Sequence, residues 1–259
     1  MKRKVLPLNL ESVQSAQRRI RGWTHVTPVF TCYTVNKLAR REIFFKAENL
    51  QKTGAFKARG ACNAVFLEKE QHPHNAGVVT HSSGNHAQAV AYAAQCAGLD
   101  CSVVIPHDAP KVKCEAIRDY GAELIFCEPS PSSRIETCEK VARETGKTII
   151  RSSDNYNVIA GQGTIALEFL EQVPDLDVLL VPVSGGGMLA GVSLTTKALQ
   201  PGCRVFAVEP VGKNLQTSLE ARKRLWSDPP VYLHTIADSL RLQASQRQTI
   251  RRKRVGFPD

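Results

Sequence analysis

The chain has 259 residues, 42% of them hydrophobic, which is enough for one large or two modest domains with a proper core. Its eight cysteines lie scattered in apolar segments without a C-x-x-C pair, which argues against a zinc cage or a disulfide framework and fits the reducing cytoplasm. The net charge of +10 lies mostly at residues 2–4 and 241–259. The nearly neutral body argues against nucleic-acid binding, and no apolar run approaches the ~18 residues of a membrane span.

The first part of the chain combines helices with short extended segments. Apolar residues recur at helical spacing over 9–21 and predict an amphipathic helix. Residues 25–29 are predicted to be extended, because the residue before Pro28 avoids the helical region. A helix over 33–40 and a strand over 43–48 follow.

Beyond a linker-like segment at 71–77, strands and helices alternate. The predicted strands are 77–81, 101–105, 123–127, 148–151, 178–183 and 204–209. The predicted helices are 85–97, 110–120, 132–145, 164–171 and 188–199, and a glycine follows each of the first three. This alternation predicts an α/β fold with open, mostly parallel sheets and helices on both faces. In such folds ligands bind in the loops that lead from strands into helices.

The stretch 51–60 sets Lys57 directly after a glycine turn and an aromatic residue, where a helical pattern begins. If the helix starts near Ala55, the positive end of its dipole faces the ammonium group and favours the neutral amine. A neutral amine can form a Schiff base with an aldehyde cofactor. The alternative is an ordinary surface lysine on the first turn of a helix.

Two further loops have the composition of anion-binding sites. Residues 81–86 leave backbone N–H groups at a helix N-terminus, which suits a carboxylate, although Ser83 could be only the helix cap. Residues 184–191 begin with Ser-Gly-Gly-Gly, which lets the backbone wrap a phosphate or form a tight turn under a closely packed helix. This stretch matches neither the G-x-x-x-x-G-K-[ST] motif of nucleoside triphosphatases nor the G-x-G-x-x-G motif of dinucleotide-binding proteins. A Schiff-base lysine with a phosphate loop and a carboxylate loop is what pyridoxal phosphate chemistry on an amino acid requires.

These motifs resemble those of the fold-type II pyridoxal-phosphate enzymes, and within them the serine racemases and serine/threonine dehydratases. Matching stretches follow in the same order at 51–60, 80–86, 159–164, 181–191, 207–210 and 235–238. The resemblance implies a two-domain, tryptophan synthase β-like fold with the cofactor in the cleft between the domains. The large domain would comprise 1–77 and 155–241, and the small domain 78–154.

The resemblance also assigns roles to single residues. Lys57 would hold the cofactor and exchange the α-proton on one face, and Ser83 would act on the other. The cofactor-binding residues would be Phe56, Lys57, Asn85, Ser153, Ser184, Gly185, Gly186, Gly187 and Met188. The substrate-binding residues would be Ser82, Ser83, Asn85 and His86. Positions that bind ATP as an effector match Lys52, Thr53, Gln88 and Tyr120.

The activity that the resemblance implies is the interconversion of L-serine and D-serine, with α,β-elimination of serine to pyruvate and ammonia. Racemisation and elimination both proceed through the carbanion that forms when the α-proton is removed. A dehydratase of serine or threonine without racemase activity is the alternative. Serine, or threonine, is the expected small-molecule partner.

The chain departs from the family pattern at several positions. Ser153 stands where the family usually has an asparagine. The Mg²⁺ or Ca²⁺ site of the family would begin with Glu209, but Lys213 and Leu215 replace a carbonyl and an aspartate, which argues against a normal metal site.

A further departure lies after Asp238, where Ser239 replaces a glycine. Residues 242–259 form a basic tail without apolar periodicity, which predicts disorder and an alternative or truncated ending. An incomplete large domain would expose a sheet edge and apolar surface. This exposed surface favours a homodimer or pairing with a full-length subunit. Besides the racemase and the dehydratase, a third hypothesis for the function is a catalytically impaired isoform that pairs with a full-length subunit.

Overall fold

A computed structural model describes residues 8–82, 84–213, 215–221, 225 and 233–241. In this part of the chain the helices and strands follow in the order α1 (Leu10–Ile20), β1 (Val29–Thr31), α2 (Tyr33–Ala39), β2 (Phe44–Lys46), α3 (Lys57–Gln71), β3 (Val78–His81), α4 (Asn85–Ala97), β4 (Cys101–Pro106), α5 (Lys111–Arg118), β5 (Glu123–Cys127), α6 (Pro131–Thr145), β6 (Thr148–Ile149), α7 (Tyr156–Gln172), β7 (Val178–Pro182), α8 (Gly187–Leu199), β8 (Arg204–Val208) and α9 (Leu215–Glu220).

The chain forms two compact units, which are described separately. One is Gln17–Arg151, and the other combines Met1–Ala16 with Ser152–Asp259. The first unit contains nearly all of the predicted small domain, 78–154, together with 17–77, which the prediction assigned to the large domain. The predicted domain boundaries therefore stay a prediction.

A four-stranded parallel sheet with the order β5-β4-β3-β6 forms the centre of the first unit. Adjacent residues of β3 and β4, such as Val78 with Val79 and Val103 with Val104, are all fully buried. Because neighbouring residues of a strand point to opposite faces, both faces of this sheet are covered. Packing of α6 against β3 and β4 forms one of the cores.

Helix α3 is the most deeply buried helix of the first unit. Its residues from Ala58 to Glu68 are all buried, and it packs against α4. A helix that is enclosed all round shows no amphipathic stripe, so its apolar pattern extends around the whole surface. The first residue of this buried helix is Lys57.

Three predicted helix ends are confirmed by backbone conformation. Helices α4 and α6 end at Gly98 and Gly146 with φ of 62° and 72°, and Gly121, shortly after α5, has φ of 76°. These are left-handed conformations that glycine adopts at little cost. The predicted strands over this region also agree with β3, β4, β5 and β6.

The second unit contains the parallel pair β7–β8 and the packed helices α7 and α8. The sequence pattern predicted a helix over 164–171, but α7 begins eight residues earlier, at Tyr156. Its interior glycines allow close packing rather than breaking the helix. A Cβ added at Gly163 would lie 2.9 Å from Val13 and Thr195, and one at Gly191 would lie 2.4 Å from the Ile159 carbonyl oxygen. Over the described residues, no helix combines the length and apolarity required to cross a membrane.

Candidate active site

Lys57 lies at the start of α3, directly after a tight turn. Thr53 and Gly54 both have positive φ, 59° and 68°, and this pair of left-handed residues redirects the chain into the helix. Phe56 precedes the helix, and the Nζ of Lys57 lies 4.9 Å from the centroid of the Phe56 ring. The predicted neighbours Phe56 and Lys57 are therefore in contact.

The amine of Lys57 titrates well below an ordinary lysine. Burial lowers its pKa from 10.5 to about 8. Roughly a tenth of this amine is neutral at pH 7, against roughly 0.03% of an ordinary lysine. The sequence suggested the dipole of a helix starting near Ala55, but the helix starts at Lys57 itself and burial is the cause of the shift.

A buried ion pair fixes the segment that precedes Lys57. The Arg59 side chain is only 1% exposed, and it donates from Nε to Glu48 Oε2 at 2.8 Å and from Nη2 to Glu48 Oε1 at 2.7 Å. The Thr27 hydroxyl donates to Glu48 Oε1 at 2.7 Å. Gln51 accepts from the His25 N–H at 2.7 Å and donates to the His25 carbonyl at 2.8 Å. These bonds tie both ends of the turn to the chain around residues 25–27.

The loop between β3 and α4 holds the predicted carboxylate site. The Gly84 carbonyl oxygen accepts the first hydrogen bonds of this 13-residue helix, from the N–H groups of Ala87 and Gln88. The N–H groups of Asn85 and His86 come before these bonds and therefore have no acceptor within the helix. The Ser82 hydroxyl accepts from the Gly84 N–H at 3.3 Å. Ser83 lies outside the described residues, so its proposed role at the second face of the cofactor stays a prediction.

His86 is a buried, neutral imidazole. It is 3% exposed, and its Nε2 lies 3.0 Å from the Ile150 carbonyl, so Nε2 carries the proton and donates. Burial, followed by the positive charge of Lys57, lowers its pKa to about 3. Its Nδ1 is buried without a hydrogen-bond partner among the described residues. His86 is therefore available as an acceptor and does not supply a positive charge.

The phosphate loop lies between β7 and α8. Gly186 has φ of 92° and is followed by Gly187, the first residue of α8. Ala190 makes the first bond of this helix, to Gly186 O at 2.9 Å, so the N–H groups of 187–189 lie at its positive end. A Cβ at Gly187 would lie 3.2 Å from Ser153 Cα, so Ser153 borders the loop as predicted for a cofactor contact.

The loop has the features that a phosphate group requires. The positive φ at Gly186 disfavours any residue with a side chain, and a Cβ at Gly187 would be in tight contact with Ser153. Backbone N–H groups at a helix N-terminus then face the bound anion. Ser184, Gly185 and Met188 flank these positions and complete the predicted set.

The four predicted effector residues lie on adjacent elements of the first unit. Lys52 and Thr53 belong to the turn before α3, and Gln88 belongs to α4, which packs against that turn. The Tyr120 ring packs edge-on against Tyr92 of α4, with the ring centroids 5.7 Å apart. Nucleotide binding by these residues stays a prediction.

The residues at the predicted metal position do not fit Mg²⁺ or Ca²⁺. Glu209 Oε1 accepts from the Leu215 N–H at 2.9 Å, and Lys213 and Leu215 are both buried. Burial lowers the pKa of Lys213 to about 8, and the negative charge of Glu209 opposes this shift. Among the described residues, no three His, Cys, Asp or Glu side chains cluster in a way that could hold a metal ion.

Comparison with known proteins identifies the family. The sequence profile of the pyridoxal-phosphate dependent enzymes matches residues 20–255. This chain belongs to that family. The serine racemase of Dictyostelium discoideum is 44% identical over 233 residues, which cover 90% of this chain and 72% of that protein. The predicted resemblance to serine racemases is therefore confirmed.

Solved structures of other family members have the same fold. A pyridoxal 5'-phosphate-dependent aspartate racemase is 49% identical with a TM-score of 0.90, over 96% of this chain and 78% of that one. Maize serine racemase is 39% identical with a TM-score of 0.88, over 95% of this chain and 75% of that one. The predicted fold-type II class is confirmed, and the role of Lys57 as the cofactor-binding lysine stays a prediction.

The Arg59–Glu48 ion pair is the part of this site that the sequence did not reveal. The two residues are eleven positions apart and belong to different elements. The one available signal was an arginine between small and apolar residues in the first turns of α3. A charged residue is rarely found there unless it is paired.

Proposed function

We propose that this chain is a pyridoxal-phosphate-dependent racemase that interconverts L-serine and D-serine and also eliminates serine to pyruvate and ammonia. The observation that carries the proposal is the buried, partly neutral amine of Lys57 at the start of α3, in a chain that belongs to the pyridoxal-phosphate dependent enzymes. Similarity to serine racemases over 90% of the chain supports serine as the substrate.

The residues described above fit the cofactor. Lys57 would bind its aldehyde carbon, and the loop from Ser184 to Met188 would bind its phosphate. Phe56, Asn85 and Ser153 would contact its ring or substituents. When bound, pyridoxal phosphate stabilises the negative charge left on the substrate α-carbon after proton removal.

The side chains of the chain supply the proton transfers. The neutral Nζ of Lys57 removes the α-proton, and the protonated Nζ returns it. Ser83 is proposed to exchange a proton on the opposite face, which inverts the configuration. The N-terminus of α4 would bind the substrate carboxylate, with Asn85 and His86 at that end.

Aspartate is a second candidate substrate. The solved aspartate racemase is 49% identical to this chain over the aligned region, a higher identity than those of the serine racemases reported above. Arg134 and Arg151 lie close enough to His81 for their positive charges to contribute to lowering its pKa, after burial. The Arg134 Nε is buried without a hydrogen-bond partner among the described residues. Arg151 is paired with Glu139 at 3.3 Å, so it is the Arg134 charge beside the loop 81–86 that favours an anionic substrate.

The products of the reaction test this function. Purified protein containing pyridoxal phosphate is incubated with L-serine, L-threonine or L-aspartate, and D-amino acids and keto acids are separated by chiral chromatography. D-serine together with pyruvate is the expected result, and Lys57→Ala should form neither. Pyruvate without D-serine would favour the dehydratase. Faster racemisation of aspartate than of serine would identify aspartate as the preferred substrate.

The chain is also proposed to pair with a second copy or with a full-length subunit. Helix α2 has no buried residue, and Tyr33 and Leu38 on it are 81% and 80% exposed. Phe30 of β1 and Phe45 of β2 add exposed aromatic surface. These exposed apolar side chains would contribute to the subunit interface. Sedimentation of the chain alone and with a full-length relative would distinguish a homodimer from a mixed pair. Mixed pairs in which this chain does not turn over serine would support the hypothesis of a catalytically impaired isoform.

Two further proposals concern regulation and location. ATP would act as an effector at Lys52, Thr53, Gln88 and Tyr120, and initial rates measured with and without ATP test this. A cytoplasmic location agrees with eight cysteines that are all free thiols. Microscopy of a tagged chain would test that location.

A further inference from the structure

The turn that precedes Lys57 has a strained backbone. Thr53 is left-handed with φ of 59°, a conformation that is unfavourable for a β-branched residue, and Gly54 follows with φ of 68°. The Thr53 hydroxyl oxygen is also buried without a hydrogen-bond partner among the described residues. Strained conformations persist only where the surrounding structure fixes them, and they cluster at functional sites. Contacts from neighbouring residues must therefore hold this turn.

Gln51 makes the hydrogen bonds that hold the start of the turn. The residue is only 3% exposed, and its side-chain Oε1 accepts from the His25 N–H at 2.7 Å and from the Lys52 N–H at 2.9 Å. Its Nε2 donates to the His25 carbonyl at 2.8 Å. The Gln51 carbonyl accepts from the Gly54 N–H at 2.9 Å. One buried residue therefore joins the turn to the chain at His25 and also closes the turn itself.

The segment around His25 is fixed by contacts that do not involve Gln51. Thr27 is fully buried, and its hydroxyl donates to Glu48 Oε1 at 2.7 Å. The Thr27 carbonyl accepts from Lys46 Nζ at 2.7 Å, and β1 pairs with β2 just beyond it. Loss of the Gln51 side-chain bonds should therefore loosen the turn while this segment stays in place.

We propose that Gln51 is a positioning residue for Lys57, whose side-chain amide holds the turn 52–56 so that Lys57 Nζ is oriented for attack on the aldehyde of the cofactor. The inference rests on the proposed function, in which Lys57 binds pyridoxal phosphate. In that step the neutral Nζ attacks the aldehyde carbon, a C=N bond forms and the aldehyde oxygen leaves as water. A misplacement of about 1 Å can slow such a step by about 100-fold.

The rate at which Lys57 links to pyridoxal phosphate tests the proposal. The full chain is freed of cofactor and mixed with pyridoxal phosphate, and sodium borohydride added at successive times reduces the C=N bond to a stable amine. Mass spectrometry then locates and quantifies the modified lysine. Gln51→Met has a similar size but lacks all three side-chain hydrogen bonds, so it should link roughly 10- to 100-fold more slowly than wild type.

Two comparisons separate positioning from a general loss of folding. The matched control Gln71→Met changes an exposed glutamine at the opposite end of α3 and should link at the wild-type rate. Calorimetric titration with inorganic phosphate should give the same affinity for Gln51→Met and wild type, because the loop 184–188 belongs to the other compact unit. A general loss of folding would weaken phosphate binding as well.

Equal linking rates in Gln51→Met and wild type would overturn the inference, and so would slow linking accompanied by weaker phosphate binding. A wild-type chain that forms no link at Lys57 would contradict the proposed function, and the inference with it. If Gln51→Met does not fold, Gln51→Glu decides, since it keeps an acceptor for the two N–H groups and loses the bond to the His25 carbonyl. Gln51→Glu should also link more slowly than wild type, and an unchanged rate would count against the proposal.

Discussion

Replacing Lys57 with methionine should stabilise the cofactor-free protein near neutral pH. The folded state holds this amine at a pKa of about 8, whereas an unfolded lysine titrates at 10.5. The difference between these two pKa values corresponds to about 3 kcal/mol of unfavourable free energy for holding the protonated amine in the folded state. Methionine has a similar unbranched chain without the charge and removes this penalty.

The sign of the pH dependence follows from the two pKa values. At pH 7 both states are largely protonated, so the wild-type protein bears nearly the whole penalty. Above pH 8 the folded state releases its proton while the unfolded state keeps it until 10.5, so wild-type stability rises with pH. The advantage of Lys57→Met should fall from about 3 kcal/mol at pH 7 to less than about 1 kcal/mol at pH 10.

Urea unfolding of cofactor-free wild type, Lys57→Met and the control Lys140→Met at pH 7 and pH 10 measures this difference. The gain at pH 7 also corresponds to a thermal midpoint higher by roughly 6–12 °C. The control lysine is exposed, so its replacement should change stability little at either pH. A Lys57→Met gain that is absent at pH 7, or equal at both pH values, would refute burial as the cause of the shifted pKa.

Two other substitutions test the surroundings of the site. Arg59→Leu should lower the free energy of unfolding by roughly 3–5 kcal/mol, because Glu48 would remain charged and buried without its partner, and urea unfolding measures this. Glu48→Gln with Arg59→Leu should recover part of that loss, and no recovery would contradict the pairing. Gly186→Ala should weaken binding of pyridoxal phosphate and of inorganic phosphate, since its φ of 92° disfavours a side chain. Calorimetric titration measures both affinities, and unchanged binding would contradict a phosphate site there.

Much of the fold could be predicted from local signals. Strands β3, β4 and β5 are short runs rich in apolar residues, and a glycine follows each of the helices α4, α5 and α6. These signals depend on neighbouring residues only, so the sequence carries them directly. The three chemically distinctive loops were recognisable for the same reason, because each lies within ten consecutive residues.

The errors arose where contacts distant in sequence override local preference. The start of α7 was placed too late, at residue 164, whereas the helix continues through Gly163, where α8 and α1 approach closely. The sequence placed Lys57 at the start of a helix with its neutral form favoured, but it could not show that burial by distant residues lowers the pKa of this amine. The arginine in α3 signals that Arg59 is paired, but no local pattern shows that its partner is Glu48. Ser83 and the tail 242–259 lie outside the described residues, so their predictions stay open.

Exchange of the substrate α-proton tests the central claim most directly. The cofactor-loaded chain is incubated with L-serine in D₂O, and both enantiomers are separated and analysed by mass spectrometry. We expect D-serine that carries one deuterium at the α-carbon, together with pyruvate, and no exchange by Lys57→Ala. Absence of α-deuterium from both enantiomers, in folded protein with bound pyridoxal phosphate, would contradict the assignment of Lys57 as the base that acts on serine.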